Sequence, residues 1–114
     1  MKLSLTVWQI INCQQIIGAQ TGDFALIRIG EKCLDALELT EAQKKSVNLR
    51  LITGNNEAGS LVSLWAWDNQ EKRIDVEIAD RNAADYFRKV LTAHKWLQSD
   101  VKQVGDLPEQ LEKE

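Results

Sequence analysis

Residues 61–67 read as an extended strand with apolar side chains on both faces, residues 73–78 alternate charged and apolar side chains with a period of two, and the segment after them switches to a helical period. No other feature of the chain restricts its fold so strongly. Val62, Leu64 and Ala66 fall on one side of an extended strand, and Ser63, Trp65 and Trp67 fall on the other. In the second segment Ile74, Val76 and Ile78 oppose Arg73, Asp75 and Glu77, so a register slip of one residue would drive three charges into a core. The polar link Asp68-Asn69-Gln70-Glu71-Lys72 between them predicts an antiparallel hairpin over residues 61–78. Asp80 suits a helix N-cap, and Ala83, Phe87, Val90, Leu91 and His94 then form the stripe of a helix lying on that sheet. The indole-bearing ribbon and the helix carrying Phe87 are expected to enclose a common dry interior.

The rest of the chain reads mostly as helix. Val7, Ile10, Ile11 and Ile17, broadened by Leu3, Trp8 and Cys13, predict a largely buried helix over residues 4–19, ended by Gly18 and the turn Gln20-Thr21-Gly22. Thr21 or Asp23 can cap a second helix carrying Ile27, Ile29, Cys33, Leu34 and Leu37, antiparallel to the first because the connection is short. Thr40 and Gln43 have capping-box spacing and open a short third helix, after which residues 49–52 read as a short strand. Val101, Val104, Leu107 and Leu111 offer a last, poorly packed helix, and residues 105–114 are expected to fray. The fold class is therefore α+β: an N-terminal helical hairpin, a short third helix, an antiparallel two- or three-stranded sheet, a long helix packed on it and a loose C-terminal segment. A chain of 114 residues suits one such domain over 1–114.

Charge narrows the choice of partner. A formal net charge of −3 gives no overall attraction to phosphate or anionic lipid, so a nucleic-acid surface would have to be local. Lys44, Lys45 and Arg50 are the candidate patch, because the order of two helices, a short third helix and a hairpin resembles a winged helix-turn-helix. A short third helix that opens with Glu41 argues against it. The apolar start is interrupted by Gln9, Asn12, Gln14 and Gln15, no small-residue cleavage site follows, and no membrane-length apolar run occurs. A cytoplasmic protein with no membrane partner is expected.

The reactive side chains are few, and each has a structural role that explains it. Cys13 and Cys33 lie in neighbouring helical patterns, where a redox crosslink competes with plain core packing. His94 is the only histidine and has no partner fixed by motif, while Asp75 and Glu77 read as a solvated strand face. Neither a catalytic residue, nor a metal ligand, nor a cofactor site is expected, and the reading is of a protein that is not an enzyme. Trp65 and Trp67 put two indoles on one side of a strand, either as covered core or as a surface on which a partner stacks.

A resemblance spans most of the chain. Gly22-Asp23-Phe24-Ala25-Leu26-Ile27-Arg28-Ile29, Leu39-Thr40-Glu41, Trp67-Asp68, Lys72-Arg73-Ile74-Asp75-Val76-Glu77-Ile78 and Lys95-Trp96 together resemble a group of small uncharacterised phage and prophage proteins. Those share a Gly-Asp-Phe helix start, an acidic turn, a Trp-Asn or Trp-Asp hairpin and an isoleucine/glutamate strand. The resemblance implies a mobile-element protein and supplies no catalytic residues. A non-enzymatic interaction or assembly protein that binds another protein or itself is the leading expectation, with a nucleic-acid binder as the alternative.

Overall fold

The computed structural model describes residues 1–113. Its elements run β1 (Lys2–Thr6), α1 (Val7–Gly18), α2 (Phe24–Leu37), α3 (Glu41–Ser46), β2 (Arg50–Asn55), β3 (Leu61–Ala66), β4 (Arg73–Glu77), α4 (Arg81–Ala93), a 3-10 turn (Gln98–Asp100), α5 (Val101–Val104) and α6 (Leu107–Glu112). The fold is α+β, with two antiparallel two-stranded sheets, β1–β4 and β2–β3. Among the described residues no helix is long and apolar enough to cross a membrane. Within the one expected domain the chain divides into two compact units, Leu39–Lys72 and the flanking segments that begin at Met1 and at Arg73.

In the discontinuous unit, the first strand corrects the expected helix over residues 4–19. Leu3 and Leu5 are buried while Lys2, Ser4 and Thr6 are not, which is strand alternation. Helix α1 starts only at Val7, because Thr6 and Gln9 form a capping box: the Thr6 hydroxyl accepts from the Gln9 amide at 3.3 Å, and the Thr6 amide donates to Gln9 Oε1 at 2.9 Å. Strand β1 pairs with β4 in the register Leu3↔Val76 and Leu5↔Ile74, so the buried face of this sheet joins residues from both ends of the unit. The expected one-sided burial of β4 holds, with Ile74, Val76 and Ile78 inside and Arg73, Asp75 and Glu77 outside. The expected hairpin over residues 61–78 does not form: β4 takes β1 and β3 takes β2. The physical reason is closure. A tight turn over residues 56–60, with Gly59 at φ 80°, closes β2 directly onto β3, and β4 finds its partner in β1.

Local capping sets the other helices as the sequence expects. Asp23 accepts from Leu26 N at 3.0 Å and Asp80 accepts from Ala83 N at 2.8 Å. Helix α2 runs antiparallel to α1, since Gln14 Nε2 reaches Leu37 O (2.9 Å) near one end while Ile17 lies against Gly30 further back. Helix α4 buries Ala83, Ala84, Phe87 and Leu91 and packs on α1, α2 and α6. Helix α6 replaces the expected fraying of residues 105–114: Leu107 and Leu111 are buried, and only Glu114 lies outside the described residues.

Polar side chains fasten this C-terminal segment. Gln9, itself 1% exposed, donates from Nε2 to Val104 O at 2.9 Å. The Gln110 amide accepts from Ser4 N and donates to Ser4 O, both at 2.8 Å, and so occupies the place of a third strand beside β1. Arg73 donates to both carboxylate oxygens of Asp106 at 3.1 and 3.2 Å. Burial alone would push the Asp106 carboxyl up, but hydrogen bonds from Arg73, Gln110 and Gln9, with the Arg73 charge, hold it below the ordinary carboxylate range. A carboxyl lowered in the folded state stabilises it fully above the unfolded-state value, about 3.9, and that contribution drains away as pH falls through the folded-state value. Thermal midpoints of the native chain and of Asp106→Asn should therefore differ most near neutral pH and converge as acid protonates the Asp106 carboxyl. A difference that grew on acidification would contradict this role.

Candidate interaction surface on the β2–β3 hairpin

Strands β2 and β3 pair in the register Leu51↔Trp65, Ile52↔Leu64, Thr53↔Ser63, Gly54↔Val62 and Asn55↔Leu61. Their loop is a tight turn: Gly59 N donates to Asn56 O at 2.9 Å, Asn56 N donates to Ser60 O at 2.9 Å, and Ser60 N donates to Asn56 Oδ1 at 2.9 Å. Gly59 lies in the left-handed region, where a side chain is strained. Antiparallel pairs alternate between hydrogen-bonded and not, starting here from Asn56 and Ser60. The amides and carbonyls of Leu61, Ser63 and Trp65 therefore point away from β2, as those of Leu51, Thr53 and Asn55 point away from β3. Among the described residues no third strand joins either edge.

Opposed residues share a face, so Leu51, Leu61 and Trp65 lie on one side of the ribbon and Ile52, Val62 and Leu64 on the other. Neither side is covered. Leu61 is 75% exposed, Leu64 68%, Trp65 50% and Ile52 51%. This corrects the expectation of a common interior closed over this ribbon. The exposed parts of these six side chains sum to something on the order of 500 Å², divided between the two faces of the ribbon. Over residues 50–66 only Arg50 and Glu57 carry charge and there is no proline, so the usual devices that protect an open strand edge are absent.

The base of the hairpin is fixed by polar contacts that sequence reasoning missed. Asp68 N donates to Val47 O at 2.7 Å, and the Asp68 carboxylate accepts from Asn48 Nδ2 at 3.1 Å and from Arg50 at 3.4 Å. Arg50 also donates to Asn48 O at 2.9 Å. The only sequence signal was Asn48 itself, a residue suited to the left-handed conformation it adopts (φ 51°). Trp67 sits at this base rather than on the open ribbon: it is partly buried, and its Nε1 is buried with no hydrogen-bond partner. The two indoles therefore have different surroundings, with only Trp65 on the exposed surface.

The other candidates are dispersed. Of the expected basic patch, Arg50 is held by Asp68, Lys44 lies 3.5 Å from Glu41, and Lys45 is exposed. His94 caps the end of α4, exposed and edge-on to Trp96 at 4.7 Å between ring centres. Cys13 and Cys33 are both buried and free. Burial pushes the Cys13 thiol up to about 12, and burial together with the Asp80 charge pushes Cys33 up to about 11. Both thiols should thus react with a disulfide reagent at pH 8 at least about tenfold more slowly in the folded chain than in denaturant. Fast native labelling of either would show that its burial is only transient. A 740 Å³ cleft on the outer side of β1–β4 is lined by Lys2, Ser4, Arg73, Asp75, Glu77 and Asp106, cations and anions intermixed.

Comparison with known proteins finds no matching protein-family model, no matching curated protein and no matching solved structure.

Proposed function

We propose that this chain is a non-enzymatic interaction or assembly protein, of phage or prophage type and acting in the cytoplasm without a cofactor, whose β2–β3 hairpin is the docking arm. One observation carries the reading: a ribbon with open edges, apolar on both faces, uncovered on both, and almost free of charge. Such a surface costs solubility unless a protein partner covers it. Its rigid base favours docking over disorder, because the tie from Asp68 to Val47 and Asn48 limits the freedom lost on binding.

Binding is tested by comparing the native chain with a variant carrying Leu51→Ser, Leu64→Ser and Trp65→Ser, both used as bait against a lysate of the native host. A partner retained by the native chain and by Phe24→Ser, but lost by the hairpin variant at unchanged thermal midpoint, supports the reading. Retention by the hairpin variant refutes it. The nucleic-acid alternative has less support, because carboxylates face Lys44 and Arg50 and the third helix has six residues. Binding to duplex DNA that weakened steeply with salt and vanished on neutralising Lys44, Lys45 and Arg50 would reinstate it.

A further inference from the structure

We infer that the occupant of the β3 edge is a second copy of this chain, paired antiparallel with β3 about a two-fold axis through Ser63. The inference rests on reading the hairpin as an interaction arm and adds to it the partner and the register.

Three observations converge on that pairing. The first is hydrogen bonding. The outward-facing groups of β3 belong to Leu61, Ser63 and Trp65, and in an antiparallel pair centred on Ser63 these face Trp65, Ser63 and Leu61 of the second copy. Every outward amide then meets a carbonyl, and the contact is isologous, so it closes at two chains. The second is side-chain chemistry. Strand β3, Leu61-Val62-Ser63-Leu64-Trp65-Ala66, carries no charge, so no like charges meet across the axis. Leu61 falls beside the Trp65 indole on one face and Val62 beside Leu64 on the other, both favourable cross-strand pairs. On β2 the same construction centred on Thr53 would set Leu51 against Asn55, bring Gly54 into the ladder and place Arg50 at its end. The β2 edge is the poorer match.

The third is area. Edge pairing extends the sheet and buries only the facing flanks of Leu61, Val62, Leu64 and Trp65, well short of the roughly 800 Å² per partner of a standard stable interface, so the contact expected is a weak one. Pairing along β3 aligns Leu51, Trp65 and the second copy's Leu61 into one row across the joined sheet. The expected dimer is accordingly reversible, with a dissociation constant on the order of micromolar.

The experiment uses the full chain. Sedimentation equilibrium from about 1 to 500 μM should show mass rising from 12.9 kDa toward twice that value. Ser63→Pro removes an outward N–H and leaves the β2–β3 ladder intact, so it should weaken association at least about tenfold with unchanged circular dichroism. Ser63→Cys tests register without disturbing the fold. Hydrogen-bonded antiparallel partners sit about 5.5 Å apart between Cα atoms, within disulfide reach, so a mild oxidant should crosslink two copies at Ser63→Cys and far less at Thr53→Cys. A single 12.9 kDa species throughout the range, with no crosslink at Ser63→Cys, overturns the inference. So does a dimer that crosslinks through Thr53→Cys. A monomer that still loses its host partner when Leu51, Leu64 and Trp65 become serine overturns the second copy while leaving the docking arm standing.

Discussion

Replacing Phe87 by alanine should lower the free energy of unfolding by about 3–5 kcal/mol, the largest loss expected from any single apolar truncation in this chain. Phe87 has no exposed surface, and it sits in the middle of the α4 face that packs on α1, α2 and α6. Removing the ring forfeits its transfer from water and leaves a void that three helices and their caps resist closing. The chain supplies its own control: the other phenylalanine, Phe24, is 88% exposed at the start of α2, and its truncation should change stability by less than about 0.5 kcal/mol. Urea melts should show the midpoint of Phe87→Ala falling at an unchanged slope. Equal midpoints for the two alanine variants would mean that α4 is not the centre of the core.

Gln9→Met should cost about 2–4 kcal/mol, although it keeps the length of the side chain and makes it more apolar. The reason is what it leaves behind. Gln9 satisfies the Thr6 amide with its oxygen and the Val104 carbonyl with its nitrogen, and methionine abandons both in a site with almost no access to water. One substitution thereby loosens the start of α1 and the docking of α5. Hydrogen exchange should consequently accelerate over residues 101–113 more than over α2, whose cap at Asp23 is untouched. Uniform acceleration along the chain would show that Gln9 stabilises the whole unit without acting as a specific fastener.

The parts of the fold legible in the sequence are those decided locally. The caps at Asp23, Thr40 and Asp80 sit within three residues of the amides they satisfy, so helices α2, α3 and α4 begin where expected. The alternation of Ile74, Val76 and Ile78 declares its own inner face. What was not legible depends on distant partners. Leu3 and Leu5 fit a helical stripe as well as a strand, and the choice is made by β4, with the Met1 amine donating to Ile78 O across 77 residues. The same holds for β3: two apolar faces describe equally a strand buried twice and one buried not at all. Gln110 carries no signal of its own in the sequence, because its role as a surrogate strand exists only once β1 lies beside it. At the candidate surface, Trp65 and Trp67 share a face by period, but the tie between Asp68 and Val47 gathers Trp67 into the base and leaves Trp65 outside.

The interrupted chain order of the two units has a consequence for how the protein comes into being. Ser4 meets Gln110 only after 106 further residues have been joined, and β1 has no strand partner until β4 has been made. The segment Leu39–Lys72, by contrast, is contiguous, and its ladder closes through a short turn. Loop-closure entropy therefore favours its maturation first, while β1 waits for β4 and Gln110 to be made.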